Sequence, residues 1–234
     1  MKTKLMTIFS IVALLVTLSS KAATEDREVS SFSEISLRVP GKLHVEQGSK
    51  QSIEIVAKSS TLEELITEVK GRELIIRFAS KNYIWKNFDP GKIEIFVTVP
   101  EIDALSLSGS GDIINDGSIE SRILDLSVSG SGDILLDDLK AERIKVMISG
   151  SGDVELAGDG KAEDLSVTIS GSGDYKGIDF KVDDVNVKIS GSGNANVYAE
   201  EQLNVRVAGS GDVTYKGNPR IDQSIVGSGK VKKY

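Results

Sequence analysis

The chain of 234 residues contains no cysteine, one histidine, four prolines and 5% aromatic residues. Without cysteine there is no disulfide, and no thiol to carry the lipid of a bacterial lipoprotein. A single histidine, His44, leaves almost no scope for a nucleophile activated by an imidazole base. Few aromatics argue against a thick core filled by large rings and against an extended row of stacking platforms for sugars. Long apolar runs are also missing beyond the first twenty-odd residues, so nothing later in the chain reads as a membrane helix. Acids outnumber bases, with a formal net charge of −7, which disfavours nucleic acid and anionic membrane as partners.

The early apolar run has its own explanation. Met1 to Lys4 is basic, Met6 to Leu18 is apolar apart from Thr7, Ser10 and Thr17, and Ser20-Lys21-Ala22 offers small residues for cleavage. Residues 1–22 are therefore expected to be a secretory signal peptide. Removal of Lys2, Lys4 and Lys21 takes the net charge to about −10.

What the chain has in abundance is glycine, 23 residues, and much of it is periodic. A Gly-Ser-Gly tripeptide begins at Gly109, Gly130, Gly150, Gly171, Gly191, Gly209 and Gly227, at spacings of 21, 20, 21, 20, 18 and 18. Each copy follows an alternating run such as Leu126-Ser127-Val128 or Val187-Lys188-Ile189, the period of a half-buried strand. A second short run follows it, such as Asp153-Val154-Glu155-Leu156. The glycines are expected at strand-to-strand corners whose backbone angles a Cβ would resist. Identical residue types returning at identical phase favour stacked coils over hairpins, and a propeller blade needs about 40 residues. The expected fold is all-β, a β-solenoid of about 20 residues per coil, with coils about 4.8 Å apart. Val128, Ile148, Ile169, Ile189 and Val207 should form one inward column.

Residues 23–104 are less regular than residues 105–234, yet Leu43 beyond Pro40-Gly41 holds the phase of Ile113 and Ile134 beyond their glycines. The expectation is one domain over 23–234, with the N-terminal part stacked on the repeats. Ser60-Thr61-Leu62-Glu63 has the form of a capping box, and Leu62, Leu65, Ile66 and Val69 have helical spacing, which predicts a short helix from Thr61 to Val69. The stretch from Ser80 to Gly91 reads as a loop or hairpin tip, and its Tyr83, Trp85 and Phe88 form the candidate contact surface.

Val39-Pro40-Gly41-Lys42-Leu43-His44-Val45, the segment from Val97 to Asp112 and the repeated Ser-Gly-Ser-Gly-Asp resemble the bacterial family described as putative auto-transporter adhesin, head GIN domain. The resemblance covers nearly all of the chain after the signal segment. It implies an exported, all-β, solenoid-like protein of a Gram-negative envelope, with no catalytic residues to carry over. Its name points to adhesion.

Two columns carry what chemistry there is. The residue after each tripeptide is Asp112, Asp133, Asp153, Asp174, Asn194, Asp212 and Lys230. Stacked carboxylates repel by roughly 1 kcal/mol per pair in water, so either solvent and turn N–H groups relieve them or Ca²⁺ sits between coils. The period differs from that of glycine-aspartate calcium solenoids, and Asn194 and Lys230 break the run, so the structural reading is preferred and no metal or cofactor is assigned. Ser110, Ser131, Ser151, Ser172, Ser192, Ser210 and Ser228 form the other column, whose hydroxyls could bond along the stack. No Walker-type lysine and helix follow the tripeptides as a phosphate loop would need.

The favoured function is an exported, non-catalytic cell-envelope binding module for a glycan or an envelope or surface protein, with no transmembrane span and the oligomeric state open. A polysaccharide-active enzyme on a β-helix is the second reading, resting on acid pairs such as Asp137-Asp138 and Asp183-Asp184. A purely structural envelope scaffold is the third. Lys230, Lys232 and Lys233 at the last coil are expected to discourage unwanted strand addition.

Overall fold

Gly-Ser-Gly corners alternating with β-branched runs leave the chain little choice but to turn and stack. A computed structural model describes residues 22–79 and 88–234, and they form a β-solenoid of about six turns. The regular part runs β8 (Ala104–Gly109), β9 (Asp112–Asn115), β10 (Ile119–Gly130), β11 (Asp133–Leu136), β12 (Leu139–Gly150), β13 (Val154–Leu156), β14 (Lys161–Gly171), β15 (Tyr175–Gly191), β16 (Ala195–Gly209), β17 (Val213–Lys216), β18 (Arg220–Gly227) and β19 (Val231–Lys233). Every pairing among these strands is parallel, one coil to the next.

The longest face runs through β8, β10, β12, β14, β15, β16 and β18, and its register keeps glycine opposite glycine from Gly109 to Gly227. Leu107, Val128, Ile148, Ile169, Ile189 and Val207 are consecutive register partners, all buried. The inward column expected from the alternation is present, with Leu107 added at one end. A second face carries β9, β11, β13, the start of β15 and β16, β17 and β19, with Ile113, Ile134 and Val154 inward. A short third run, through Leu139, Ala141, Ala162, Val182 and Ala199, closes the cross-section.

The coil of Tyr175 shows how finely the interior is filled. Tyr175 and Phe180 are fully buried, and Tyr175 stacks between Val154 and Ala195. A Cβ on Gly177 would overlap the Tyr175 hydroxyl. Small Gly177 and Ala195 thus give the space that the ring takes, as close-packed interiors require.

The N-terminal part joins the stack out of chain order. Its elements are β1 (Ala22–Asp26), β2 (Glu34–Leu37), β3 (Lys42–Gln47), β4 (Ser52–Lys58), α1 (Ser59–Leu62), β5 (Leu65–Lys70), β6 (Glu73–Phe78) and β7 (Glu94–Val99). β2 and β3 form a coil directly on β8 and β9, pairing Leu37 with Leu107 and Leu43 with Ile113. Pro40-Gly41 therefore occupies the corner that Gly-Ser-Gly takes elsewhere. On the other side of this coil lie β6 and β7, also parallel. Beyond them the direction reverses: β5 is antiparallel to β6, β4 to β7 and β1 to β4. This end is closed by antiparallel strands rather than by further coils.

The helix is shorter than its spacing predicts. It covers Ser59–Leu62 only, has no side-chain cap, and Leu65 to Lys70 continue as β5. Two forces prevail over the helical pattern. The Thr61 hydroxyl, inside the turn, donates to the Pro90 carbonyl at 2.8 Å and ties the segment to the chain entering β7. Val69 and Ile66 find strand partners in Leu74 and Arg77 across a turn at Gly71, whose φ is +66°.

Candidate functional site

At each corner the backbone must pass from one face to the next while leaving no buried N–H without a partner. The first glycine of each tripeptide has a φ between +116° and +138°, a region that L side chains avoid. The third glycine is needed for a different reason: a Cβ on Gly152 would overlap the carbonyl oxygen of Gly132 and press on Val128. Only the first glycine thus meets the expectation of special backbone angles; the third answers to the close approach of successive coils.

The corner amides all point toward the preceding coil. Ser151 and Gly152 both donate to the Gly130 carbonyl, at 2.8 and 3.1 Å. The next donor, the N–H of Asp153, has no backbone acceptor left, and the Asp133 Oδ1 takes it at 2.8 Å. The same bond recurs from Asp174 to Asp153 at 2.9 Å, from Asn194 to Asp174 at 2.7 Å, from Asp212 to Asn194 at 3.0 Å and from Lys230 to Asp212 at 2.9 Å. The column expected to serve its own turn serves the next coil's turn. Asn194 performs the same task through its amide oxygen, so an acceptor oxygen is what the position requires, not charge.

Cations answer some of the second carboxylate oxygens. Lys176 Nζ lies 2.7 Å from Asp153 Oδ2, and that bond holds the lysine above its ordinary pKa. Lys232 lies 3.8 Å from Asp212. Asp112 Oδ atoms enter no such bond, and its N–H donates to the Gly41 carbonyl at 3.0 Å. Among the described residues no group of three or more histidine or acidic side chains converges as a metal cage. The tripeptide serines do not form the hydroxyl ladder that their spacing suggested. All seven point outward and are exposed, and the corner is bonded through their amides instead.

The remaining sequence candidates are dispersed. His44 is stacked on Phe96, with centroids 4.6 Å apart, and its Nδ1 lies 3.1 Å from Asp116 Oδ2. Among the described residues no serine hydroxyl is hydrogen-bonded to its ring. Phe88 is half-buried and packs edge-on against Phe78 at 5.9 Å; Tyr83 and Trp85 lie outside the described residues, as do residues 1–21 of the predicted signal peptide. Asp137 and Asp138 are both exposed. Asp183 is tied to Lys161, 2.5 Å away, and Lys161 also reaches Glu200 at 2.9 Å. Bonds to Asp183 first and Glu200 second hold that lysine well above its usual pKa. Asp183 and Glu200 thus staple coils through Lys161.

A surface that the motifs did not single out is the outer side of the long face. Ser166, Thr168, Asn186, Lys188, Asn204 and Arg206 line a shallow depression of about 420 Å³ there. Strand register fixes it: Ser166, Asn186 and Asn204 are consecutive partners, and so are Thr168, Lys188 and Arg206. Asn204 Nδ2 donates to Asn186 Oδ1 at 3.0 Å, and Gln202 Nε2 to Asn204 Oδ1 at 3.2 Å. The signal was present in the sequence as the polar members of the alternating runs, read there only as the solvent side. Among the described residues no helix is long and apolar enough to cross a membrane.

Solved structures of the same architecture exist. The chain is similar to a putative adhesin from Bacteroides fragilis, at 25% identity and a TM-score of 0.85, over 92% of this chain and 98% of that one. It is similar to a putative lipid binding protein from Parabacteroides distasonis, at 25% identity and a TM-score of 0.73, with the same coverages. A putative adhesin from Parabacteroides merdae shares the fold at 20% identity and a TM-score of 0.71, over 92% and 97%. No curated protein matches the chain. Residues 31–219 match the family described as putative auto-transporter adhesin, head GIN domain, which spans both the N-terminal coil and nearly all of the repeats. The chain belongs to that family.

Proposed function

We propose that this protein is an exported, non-catalytic binding module of the cell envelope, which meets a glycan or a surface protein through the outer side of its long face. The observation that carries this reading is the division of labour between the two sides of each strand. Inward positions are apolar and fully packed, so a ligand must be met on the outside. The outward positions of β14, β15 and β16 present hydroxyls, amides and two cations on a rigid, regularly spaced sheet. Such groups match the hydroxyls of a glycan or the polar rim of a protein partner. Membership of an adhesin-named family supports the same reading, and the signal-like sequence of residues 1–22 supports export.

Catalysis is disfavoured by how the acids are used. Asp133, Asp153, Asp174 and Asp212 are committed to neighbouring amides, and Asp183 to Lys161. A hydrolase needs an acid–base pair facing a cleft at a defined gap. The relative named for lipid binding suggests a second ligand class, yet among the described residues the outer side of β10 to β16 on the long face offers no contiguous apolar patch for an acyl chain. Its exposed Met147 and Ile123 are isolated among polar side chains.

A glycan array together with pull-down from envelope extracts tests the proposal. Saturable capture of a glycan or surface protein, with the captured polymer intact, is the expected outcome. Cleavage of a polysaccharide that is lost on changing an acid pair would replace it with the enzyme reading, and no capture at all would leave the scaffold.

A further inference from the structure

The two ends of the solenoid differ, and the difference is complementary. At the C-terminal end β18 pairs only with β16, and β19 only with β17. At the N-terminal end β5 pairs only with β6, and β1 only with β4. Each face of the solenoid therefore finishes, among the described residues, in one unpaired strand edge at either end. The long face finishes in β5 and β18, and the second face in β1 and β19. A row of unpaired N–H and C=O groups is a template for another strand.

Side chains give these edges a sign. Residues 220–234 carry Arg220, Lys230, Lys232 and Lys233 against the single acid Asp222, on a chain whose total is −7. β1 and its continuation carry Glu25, Asp26 and Glu28 against Arg27, and Glu63 and Glu64 follow α1. Glu25, Asp26, Glu28, Lys232 and Lys233 are all exposed. Their present partners are few: Glu25 with Arg27 at 3.1 Å, Lys232 with Asp212 at 3.8 Å, and Lys233 with the Asn218 side chain at 2.7 Å.

The basic end is also apolar. Of the six large hydrophobic side chains most exposed among the described residues, three lie in the last coil: Ile221 at 41%, Val226 at 73% and Tyr234 at 77%. Ile221 and Ile225 continue the inward columns of Leu203 and Val207, and among the described residues no further strand pairs beyond them.

We infer that a second copy of this chain docks its acidic N-terminal end on this basic C-terminal end, continuing the second face from one molecule into the next. Strand directions permit it. β1 lies three strands beyond β3, whereas β5 lies only two beyond β2, so β1 makes the contact. Because β1 runs with the coils, it would meet β19 in parallel, and the register carried along the second face sets Thr24-Glu25-Asp26 beside Lys230-Val231-Lys232, with Asp26 opposite Lys232. The lysines then act as a selector: they oppose a second basic end and admit an acidic one. A contact between unlike ends leaves one of each end free, so assembly is open and linear rather than a closed dimer.

Sedimentation of the purified full chain across a wide concentration range tests this. The average mass should rise without levelling at a dimer, and about 0.5 M salt should reverse it by screening the end charges. Glu25→Lys with Asp26→Lys, and separately Lys232→Glu with Lys233→Glu, should each weaken self-association at least about tenfold. An equimolar mixture of the two variants restores opposite signs at both contacts and should assemble again. Melting temperatures equal to that of the unaltered chain show that loss of assembly is not loss of fold. Should a reversal unfold the protein, Lys232→Ala with Lys233→Ala provides the milder version. A single particle at every concentration, a dimer that grows no further, variants that associate as well as the parent, or a mixture that stays dispersed would each overturn the inference.

Discussion

Tyr175 is the residue whose environment speaks most plainly. Its ring fills the solenoid interior, and its hydroxyl is buried with no hydrogen-bond partner. An orphaned polar group of this kind costs about 1–3 kcal/mol, so Tyr175→Phe is expected to be neutral or to stabilise by about 1 kcal/mol at pH 7. Burial also pushes the phenol above its usual pKa. The folded state then holds the proton more tightly than the unfolded chain does. Its contribution is complete below the unfolded value of 10.0 and is lost as pH rises above it, by about 1.4 kcal/mol per pH unit. Denaturant melts of parent and Tyr175→Phe should therefore diverge above about pH 10, the variant holding its stability longer. Parallel decline of the two would show the phenol to be hydrated.

The aspartate column also works residue by residue. Since Asn194 takes the Asp212 N–H as well as any aspartate takes its own partner, Asp174→Asn should change stability little. Asp174→Ala removes the acceptor for Asn194 and should cost about 1–2 kcal/mol. Millimolar calcium should shift the melting temperature by no more than about 2 °C. A much larger shift that Asp133→Asn with Asp153→Asn abolishes would restore the calcium reading.

At the scale of the element, the strands are where sequence and structure agree best, and the reasons are physical. A period-2 run bounded by glycine specifies a half-buried strand almost by itself, because a one-residue slip would turn every valine outward. Ile148 and Lys188 show the two sides: Ile148 is buried between Val128 and Ile169, whereas Lys188 is exposed. Ile148→Ala should cost about 2–4 kcal/mol, and Lys188→Ala close to nothing, by chemical denaturation. Equal costs would contradict the strand phase. Legibility failed where local pattern and long-range pairing disagree. The spacing of Leu62, Leu65, Ile66 and Val69 suits a helix, but β6 offers Leu65 to Lys70 a full antiparallel partner, and tertiary pairing outweighs propensity in so short a segment. The third glycine of each corner was noticed but misattributed, since a clash with the preceding coil depends on contacts that sequence does not display. The depression on the long face was invisible for a related reason: its six polar lining side chains come from three coils, and they are neighbours only through register.

For the whole molecule, the inserted coil of β2 and β3 has a consequence. It lies between β6–β7 and β8–β9, so the N-terminal part packs on one of its sides and the repeats on the other. We propose that residues 23–234 behave as one folded unit. Limited proteolysis should release no stable fragment beginning near residue 100, and calorimetry should show one transition; two independent transitions would separate the parts. Cohesion belongs to the interior and contact to the exterior, a division of labour between the two sides of each strand. It is tested most directly by measuring capture of envelope glycans and surface proteins by the parent chain and by a variant carrying Asn186→Ala, Lys188→Ala and Asn204→Ala. These three changes on the outer side of the sheet should leave the melting temperature within about 2 °C and reduce capture at least about tenfold. Undiminished capture by a correctly folded variant would contradict the claim.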